Sequence, residues 1–335
     1  MRFVSQRLIG SLLVLFIASL ISFFLLRVLP GDPARMILGP LASQEAIENQ
    51  RRVMGLDLPI TTQYIRYIKD LFQGDLGFAW HTGRPVITEL KAKIPATAEL
   101  AIASFLFASF ATLLLGILVI YFRGGFFDNL IRSIAFLGLG TPIFWFGLLL
   151  LVIFFFYLKI FPAPFGRLSP TTIPPTRITG FYTIDSILTG NWKVFQESIS
   201  YLALPVFTLS FALFAYLFRV LRGSLLEVIN EPYMVVAKAK GLNKWKSIVK
   251  HALPNSLLPF ITLAALSFGE LLAGSVLVET VFLWPGVGSF VTQSVLAKDF
   301  AAVQAVIILS AIAYVMVNLI VDIMYGVLNP RIRSS

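Results

Sequence analysis

Residues 98–122 have the sequence AELAIASFLFASFATLLLGILVIYF, an apolar stretch of 25 residues in which Glu99 is the one charged side chain. About 20 consecutive apolar residues in a helix cross the roughly 30 Å hydrocarbon core of a bilayer. The stretch therefore predicts a membrane-spanning helix. Five further apolar runs accompany it, and the predicted spans are 8–29, 98–122, 133–158, 200–218, 257–280 and 303–326.

Six such runs predict an all-α polytopic membrane protein. The composition agrees, because 57% of the 335 residues are apolar and 13% are charged, whereas soluble domains carry about 25% charged residues. The alternative, six core helices of a soluble protein, is disfavoured by the number of long runs. We divide the chain into a first transmembrane helix at 1–29, an extracytoplasmic segment at 30–97 and a core domain of five transmembrane helices at 98–335.

Composition also argues against several kinds of site. The chain has no cysteine, which excludes disulfides and thiolate metal ligands. Its two histidines, His81 and His251, are far apart in sequence, so we expect no metal site. The formal charge of +10 might point to nucleic acid in a soluble protein, but here many basic residues flank apolar runs. In that position they set membrane orientation and attract anionic lipid. We expect contact with membrane lipid and none with nucleic acid.

The amino terminus carries Arg2 and Arg7 next to an apolar run at 8–26. A cleavable signal peptide has a shorter apolar core of about 7–15 residues and a small-residue cleavage site, so we interpret this run as a retained first span. If both termini are inside, the inner face holds thirteen basic residues against three acidic ones. The outer basic residues lie in long segments, which count less toward orientation. Both termini are therefore predicted to be cytoplasmic.

Two long segments are expected on the outer side. Residues 30–97 mix charge, glycine and proline with amphipathic stretches, which predicts a small folded cap. Residues 159–199 contain PTTIPPTR and then FYTIDSILTGNW. The prolines disfavour a regular helix and predict a stiff, extended path. The apolar residues that follow predict a part that packs on the outer face.

The inner loop at 219–256 has the sequence RVLRGSLLEVINEPYMVVAKAKGLNKWKSIVKHALPNS. Pro232 is typical of the first turn of a helix. Gly241 predicts the end of that helix in a left-handed conformation, and a second helix is expected at about 244–253. Four residues of the first helix share one face at helical spacing, namely Tyr233, Val236, Ala237 and Lys240.

This loop resembles the cytoplasmic coupling loop of importer-type ABC-transporter permeases. The peptide-transporting branch has Tyr-hydrophobic-x-x-Ala-basic-Ala-Lys-Gly-Leu, which corresponds to residues 233–242 here. Small side chains at Ala237 and Ala239 would let a short helix lie deep in a partner's groove, and Gly241 allows a sharp turn. The alternative is a basic amphipathic helix lying on anionic lipid. The branch continues with His-x-Leu-x-Asn and a later proline, here His251, Leu253, Asn255 and Pro259.

The resemblance extends over nearly the whole chain. The terminal NPRIR at 329–333 is similar to the family's Asp-Pro-Arg-Ile-Arg, with Asn329 in place of the aspartate of an expected salt bridge. The chain is thus identified as a member of the dipeptide/oligopeptide permease family, and it resembles the first of two non-identical permease subunits. Four further segments resemble family segments: LPGDP at 29–33, LGLGTPIFW at 137–145, VETVF at 278–282 and WPGVG at 284–288.

The resemblance implies a permease subunit of an ATP-driven importer in the cytoplasmic (inner) membrane of a prokaryote. It implies a second permease subunit, two ATPase subunits that bind ATP and magnesium, and an extracytoplasmic binding protein that delivers a di- or oligopeptide. The chain has no Gly-x-x-x-x-Gly-Lys-Ser/Thr phosphate loop. We therefore expect no cofactor or catalytic residue on it. ATPase contact is expected at Tyr233, Val236, Ala237, Lys238, Ala239, Lys240, Gly241 and Leu242.

Among the charges within or near the predicted spans, where charge is costly, three carboxylates carry hypotheses: Glu270, Glu279 and Asp322. Glu270 is the deepest, and it either lines the translocation path or forms an internal hydrogen bond to a neighbouring helix. Glu279 is predicted to organise the WPGVG turn rather than to contact substrate. Asp322 is predicted to pair with a basic residue near the inner end of its span.

Other functions are compatible with parts of this pattern. The same architecture could import nickel complexes, glutathione or oligosaccharides. An ATP-independent channel or secondary transporter predicts paired ionisable groups at mid-membrane depth, whereas Glu270 is the one clear mid-span carboxylate. A membrane-embedded enzyme predicts a His/Asp metal cluster or a Ser/Lys pair within the spans, and the sequence has neither.

Overall fold

The computed structural model describes the backbone of residues 2–28, 32–39 and 41–328, and the side chains from 10 to 320 with gaps at 26, 28–31, 36, 40 and 238. As predicted, the fold is almost entirely α-helical. One short antiparallel ribbon pairs β1 (Phe78–Ala79) with β2 (Arg84–Pro85). The helices are α1 Arg2–Val28, α2 Pro33–Leu38, α3 Gln44–Val53, α4 Ile60–Phe72, α5 Val86–Tyr121, α6 Phe126–Gly140, α7 Ile143–Leu150, α8 Tyr182–Leu188, α9 Trp192–Ile229, α10 Pro232–Ala239, α11 Lys244–Lys246, α12 Leu253–Leu272, α13 Val276–Val281, α14 Val287–Leu296 and α15 Phe300–Leu328.

Two of these helices continue as π-helix. The π-helical turns Leu151–Tyr157 extend α7, and the turns Ser247–Ala252 join α11 to α12. Within the described residues, four helices are long and apolar enough to cross a membrane: α5, α9, the continuous helix Lys244–Leu272 and Phe300–Ile320 of α15. The bent pair of α6 with extended α7 gives a fifth candidate. The predicted first span coincides with α1, whose apolar part with described side chains is Gly10–Leu25.

Two spanning helices are longer than their apolar runs. The prediction began the second span at residue 98, but α5 begins at Val86 and has 36 residues. Its first turns therefore belong to the same helix as the span, and Pro95 lies inside it. The prediction gave 200–218 for the fourth span, but α9 has 38 residues, a length of about 57 Å. Hydropathy detects only the apolar part of a helix, whereas more polar turns continue the same hydrogen-bonded backbone.

The third predicted span is not continuous. The chain bends by 114° between the axes of α6 and the extended α7, instead of forming one straight helix over 133–158. The break falls at Thr141 and Pro142. Proline lacks the backbone N–H and disfavours the helical conformation of the residue before it. Thr141 instead terminates α6, and its backbone N–H and hydroxyl both donate to the carbonyl of Leu137, at 3.0 and 2.7 Å.

The fifth predicted span also ends earlier than expected. The prediction extended it to residue 280, whereas α12 ends at Leu272 and a turn separates it from α13. Gly274 has φ +107 in this turn, a conformation that glycine adopts without steric cost. The short α13 then packs against α14 and α7. The chain therefore reverses near the outer face.

The centre of the protein is the contact between α5 and α9. Small residues allow the helices to approach closely. A Cβ on Gly116 would lie 2.9 Å from Leu221 Cδ2, and one on Gly138 of α6 would lie 2.8 Å from the Cβ of Ala215. The hydroxyl of Ser210 donates across the interface to the carbonyl of Ser104, at 2.9 Å. These contacts fix α5, α6 and α9 as one packed unit.

Residues 32–85 form the predicted cap, with three helices and the ribbon. The cap packs on the outer end of α1 through aromatic rings. Phe23 of α1 lies 5.1 Å from Tyr64 and 5.8 Å from Tyr67 of α4, measured between ring centroids. An ion pair of 3.0 Å joins Arg51 of α3 to Asp32, which also caps the N-terminus of α2. The prediction of a small folded segment is confirmed for these residues.

Candidate functional site

The loop at 219–256 turns sharply after α10. The backbone N–H of Lys240 donates to Val236 O at 3.0 Å, and that of Leu242 donates to Ala237 O at 3.3 Å. Gly241 between them has φ +81. This is the arrangement in which a glycine just past a helix end satisfies its last carbonyls. The left-handed Gly241 predicted from the sequence is confirmed.

The inner face of α10 packs on the protein's own helices. Met234 is fully buried and belongs to a core that includes Leu225, Ile248 and Ala252. Ala237, three residues further along the same face, is 8% exposed. Helical spacing placed Ala237 on one face with Tyr233, Val236 and Lys240. In this chain Ala237 lies at the buried edge of that face, whereas the other three side chains are exposed. The small side chain of Ala237 lets α10 approach the protein's own core. The contact of Ala237 with an ATPase subunit stays a prediction.

The opposite face of α10 is open and apolar. Tyr233 is 44% exposed, Val235 61% and Val236 52%. Lys240 is also exposed, as are Ala239 and Gly241, whereas Leu242 is partly buried. The Lys238 side chain lies outside the described residues. We call Tyr233, Val235, Val236 and Lys240 the exposed loop face. An apolar face of this kind next to basic residues is suited to binding a partner.

The second part of the loop is anchored to the end of α5. Asn243 caps α11, with its Oδ1 accepting from the backbone N–H of Lys246 at 2.8 Å. The Lys244 ammonium donates to the carbonyl of Tyr121 and lies 5.2 Å from its ring centroid. Trp245 packs edge-on against the same ring at 5.9 Å. This anchor was not predictable from one sequence, because Lys244 and Trp245 are more than 120 residues away from Tyr121.

Glu270 lies on the surface of the isolated chain. It is exposed on α12, and no hydrogen bond or ion pair to another described residue holds it. The adjacent Gly269 faces inward, since a Cβ there would lie 3.3 Å from Val317. An internal hydrogen bond within the described part of this chain is thus not found for Glu270. No group of three or more metal-ligating side chains occurs among the described residues either.

Glu279 organises the outer turn after α12. Its carboxylate is fully buried and accepts from the Thr97 hydroxyl at 2.8 Å and from the Ser289 backbone N–H at 2.9 Å. Gly286 lies against this network, where a Cβ would come within 2.4 Å of Thr97 Oγ1. Trp284 donates its indole N–H to the carbonyl of Ala96 at 2.8 Å. The predicted role of Glu279 in the WPGVG turn is confirmed.

A buried ion pair joins the second outer segment to α5. Arg167 Nη2 lies 2.5 Å from Glu99 Oε2, and both side chains are buried. The other carboxylate oxygen accepts from the Thr183 backbone N–H at 2.8 Å and its hydroxyl at 2.7 Å. The Arg167 guanidinium also stacks 3.5 Å from the ring centroid of Tyr182. The lone charge of Glu99 in its apolar run was the sequence signal for this site, but its partner was not predictable.

The proline-rich stretch at 170–177 lies between Arg167 and Thr183 in the chain. Residues 170–177 contain no helix or strand, in agreement with the sequence. The start of α8 is then fixed by Asp185, which accepts from Thr179 at 2.8 and 2.7 Å and from Gly180 at 2.9 Å. Burial alone would raise the pKa of Asp185, but these hydrogen bonds outweigh it and lower the pKa below its usual value. This segment packs on the helices through the contact of α8 with α9, and its location on the outer face stays a prediction.

Several predictions fall on residues outside the described part of the chain. The LPG of the segment at 29–33 and the whole of NPRIR at 329–333 lie there, and so do the side chains of Arg2, Arg7 and Asp322. The proposed pairing of Asp322 thus stays a prediction.

Several candidate membrane spans, a folded segment at 32–85 and a loop with an open apolar face together define a multi-pass membrane protein. The chain belongs to the family described as binding-protein-dependent transport system inner membrane components, which matches residues 85–334. The N-terminal component of the same transport systems matches residues 1–101. The resemblance drawn from the sequence is confirmed.

Curated relatives agree over nearly their full length. The chain is 44% identical over 327 residues to the "Probable D,D-dipeptide transport system permease protein DdpB" of Escherichia coli (strain K12), covering 98% of this chain and 96% of that protein. It is 38% identical to the "Di/tripeptide transport system permease protein DppB" of Pseudomonas aeruginosa (strain UCBPP-PA14), covering 99% of both. It is 35% identical to the "Glutathione transport system permease protein GsiC" of Escherichia coli O6:H1, again covering 99% of both.

Proposed function

We propose that this chain is a permease subunit of an ATP-driven importer for dipeptides or oligopeptides. It forms the passage together with a second permease subunit, and an extracytoplasmic binding protein delivers the peptide. The observation that carries the proposal is full-length similarity to permeases named for dipeptide transport, at up to 44% identity among the relatives given above. Glutathione is the second candidate, because the chain is 35% identical to a permease named for its transport.

Two ATPase subunits, which carry ATP and magnesium, are proposed to supply the energy. One of them binds the exposed loop face of α10, where Tyr233, Val235 and Val236 leave apolar surface uncovered. Ala237 supports this contact indirectly, because its small side chain lets α10 pack tightly on the protein's own core. Lys244 and Trp245 tie the loop to α5, so a displacement of the ATPase reaches the spans. Such coupling needs contacts that differ between two conformations.

Glu270 is proposed to face the second permease subunit or the passage between the two. A carboxylate within hydrocarbon costs at least about 2.5 kcal/mol, and the described part of this chain supplies no partner for it. A polar partner or water in the assembled transporter removes that cost. A structure of the assembled pair with Glu270 among acyl chains and no polar neighbour would contradict this assignment.

The chain is a multi-pass inner-membrane protein, and we propose cytoplasmic N- and C-termini. This orientation places the exposed loop face of α10 in the cytoplasm and the cap outside. Tags at either end should resist external protease in intact cells, and cleavage of either tag would reverse the assignment.

The test of the function is uptake and assembly in a strain that expresses the full transporter. Val236→Asp puts a charge in the middle of the exposed loop face and should reduce both ATPase co-purification and uptake of labelled dialanine at least about tenfold. The matched control is Ile173→Asp, which charges an apolar residue of the outer segment that is 84% exposed. The control should leave ATPase co-purification unchanged.

Substrate class is tested in the same cells by competition. Unlabelled dipeptides should suppress uptake of labelled dialanine, whereas glutathione, a nickel chelate and an oligosaccharide should compete weakly. Strong transport of glutathione without dipeptide transport would move the assignment to the second candidate. Normal ATPase binding and uptake by folded Val236→Asp would overturn the coupling role of the loop.

A further inference from the structure

A cavity of 480 Å³ lies between the cap and the outer ends of α1 and α15. One wall is a face of α4 at helical spacing, and another is the first turns of α15. The ribbon and the turn after α3 close the remaining sides. The polar residues that matter are Arg27, Arg66, Tyr67, Asp70, Asp75 and Gln304.

The deep end of the cavity carries hydrogen-bond donors. Gln304 is 5% exposed, and its side-chain Nε2 has no hydrogen-bond partner. A buried amide left without an acceptor is costly and uncommon in native proteins. The Tyr67 hydroxyl is buried and belongs to a residue that lines the same cavity, and burial raises the pKa of Tyr67 to about 12, so this group keeps its proton. The guanidinium of Arg27 is held in place by donating to Gln63 Oε1 at 3.0 Å.

The mouth of the cavity carries carboxylates. The side chain of Asp70 is 42% exposed, and its nearest cation is Arg66 at 4.0 Å, a distance too long for a strong ion pair. Asp75 is exposed at the same opening. The cavity is therefore lined by buried donors and, on its exposed side, by the carboxylates of Asp70 and Asp75 against the guanidinium of Arg66, which leaves a net negative charge there. A ligand that matches this arrangement carries a carboxylate at one end and an ammonium at the other.

We propose that this cavity binds a small zwitterion, an amino acid or a short peptide. Its carboxylate accepts from Gln304, Tyr67 and Arg27, and its ammonium lies near Asp70 and Asp75. The volume lies within the range of about 300–1,000 Å³ found for small-molecule sites. The proposal concerns binding by this chain alone and holds whether or not the transporter carries peptides.

The experiment is calorimetric titration of the full chain in lipid nanodiscs with L-alanyl-L-alanine. Two further probes remove one charge each: L-alanyl-L-alanine amide lacks the carboxylate, and N-acetyl-L-alanyl-L-alanine lacks the ammonium. Dialanine should bind, and the amide should bind least because it cannot accept from the deep donors.

Two variants locate the binding. Gln304→Leu keeps the volume, removes the amide and should weaken dialanine binding about tenfold. Asp70→Asn should weaken dialanine but leave the N-acetyl probe unchanged, since that probe has no ammonium. The matched control is Gln73→Leu on the exposed end of the same cap helix, which should bind as the wild type does.

Thermal unfolding without ligand separates these effects from misfolding. Gln304→Leu should unfold at the same or a higher temperature, because it removes an unpartnered buried amide. The proposal is overturned if dialanine does not bind the wild type at millimolar concentration. It is equally overturned if folded Gln304→Leu binds dialanine as tightly as the wild type, which would place the ligand elsewhere. If the wild-type chain binds dialanine but the assembled transporter does not take up peptides, the proposed transport function is contradicted and the binding proposal stands.

Discussion

Replacing Arg167 with methionine should destabilise the protein by about 3–5 kcal/mol, the usual cost of leaving one member of a buried ion pair alone. Arg167 is 6% exposed and Glu99 4%, so little water reaches either group. In Arg167→Met, Thr183 still donates twice to one oxygen of Glu99. The other oxygen loses the guanidinium at 2.5 Å and stays charged in a buried place.

The double variant Arg167→Met with Glu99→Leu should recover part of this loss. It removes both charges, and replacing a buried ion pair by apolar side chains is often neutral or stabilising. Thr183 loses its acceptor in the double variant, so recovery should be incomplete, short by about 1–3 kcal/mol. The double variant should therefore be more stable than the single variant.

The measurement is unfolding of the purified chain in mixed micelles by titration with denaturing detergent. The control is Arg84→Met, which removes a guanidinium whose side chain is 69% exposed and which lies 3.9 Å from the largely buried Glu89, a distance too long for a strong ion pair. The free energy of unfolding of Arg84→Met should fall by no more than about 1 kcal/mol, as for pairs with an exposed member. If Arg167→Met changes stability no more than Arg84→Met, the pair is hydrated and the reasoning fails.

Three further outcomes follow from the outer and inner turns. Gly286→Ala should cost about 1–3 kcal/mol in the same unfolding assay, because its Cβ would lie 2.4 Å from Thr97 Oγ1 and 2.5 Å from Glu279 Oε2; wild-type stability would show that the turn relaxes freely. Gly241→Val should reduce ATPase co-purification while Gly241→Asn retains it, since asparagine tolerates φ +81 better than a β-branched residue; equal assembly of both variants would refute this. The lowered pKa of Asp185 contributes stability above its unfolded pKa of about 3.9, and that stability is lost as pH falls through the lower folded pKa. Asp185→Asn should therefore reduce stability at neutral pH and flatten its acid decline in pH-dependent unfolding, whereas an unchanged pH profile would contradict the assigned role.

Local sequence rules predicted local features well. The apolar runs located the membrane-spanning helices, and Gly241 was placed correctly because a glycine after a short helix satisfies a local rule. The helix break at Pro142 is also a local property of the sequence. The prediction nevertheless continued the span through Pro142, because the residues on both sides are apolar. The first turns of α5 were missed because hydropathy does not record where a helix continues beyond its apolar run.

Features that depend on distant residues were not predictable from one sequence. Glu99 and Arg167 are 68 residues apart, and His81 and Asp299, which lie 2.9 Å apart, are separated by 218. Ala237 shows the same limit at shorter range. Helical spacing identified its face, but only the packing of α10 on the core decides which edge of that face is buried. The cavity at Gln304 likewise needs the cap, α1 and α15 together.

The unbroken helix from Lys244 to Leu272 has a mechanical consequence. It has 29 residues and a length of about 43 Å, with one end in the loop at 219–256 and the other at the glycine turn with φ +107. A stiff rod of that length, tilted by about 10° about its inner end, moves its outer tip by about 7 Å. The turn at Gly274 interrupts the helical hydrogen bonding between α12 and α13, so a tilt of this helix is not carried into α13 by a continuous backbone ladder. A tilt of a few degrees at one end of the helix would become a displacement of several ångströms at the other end.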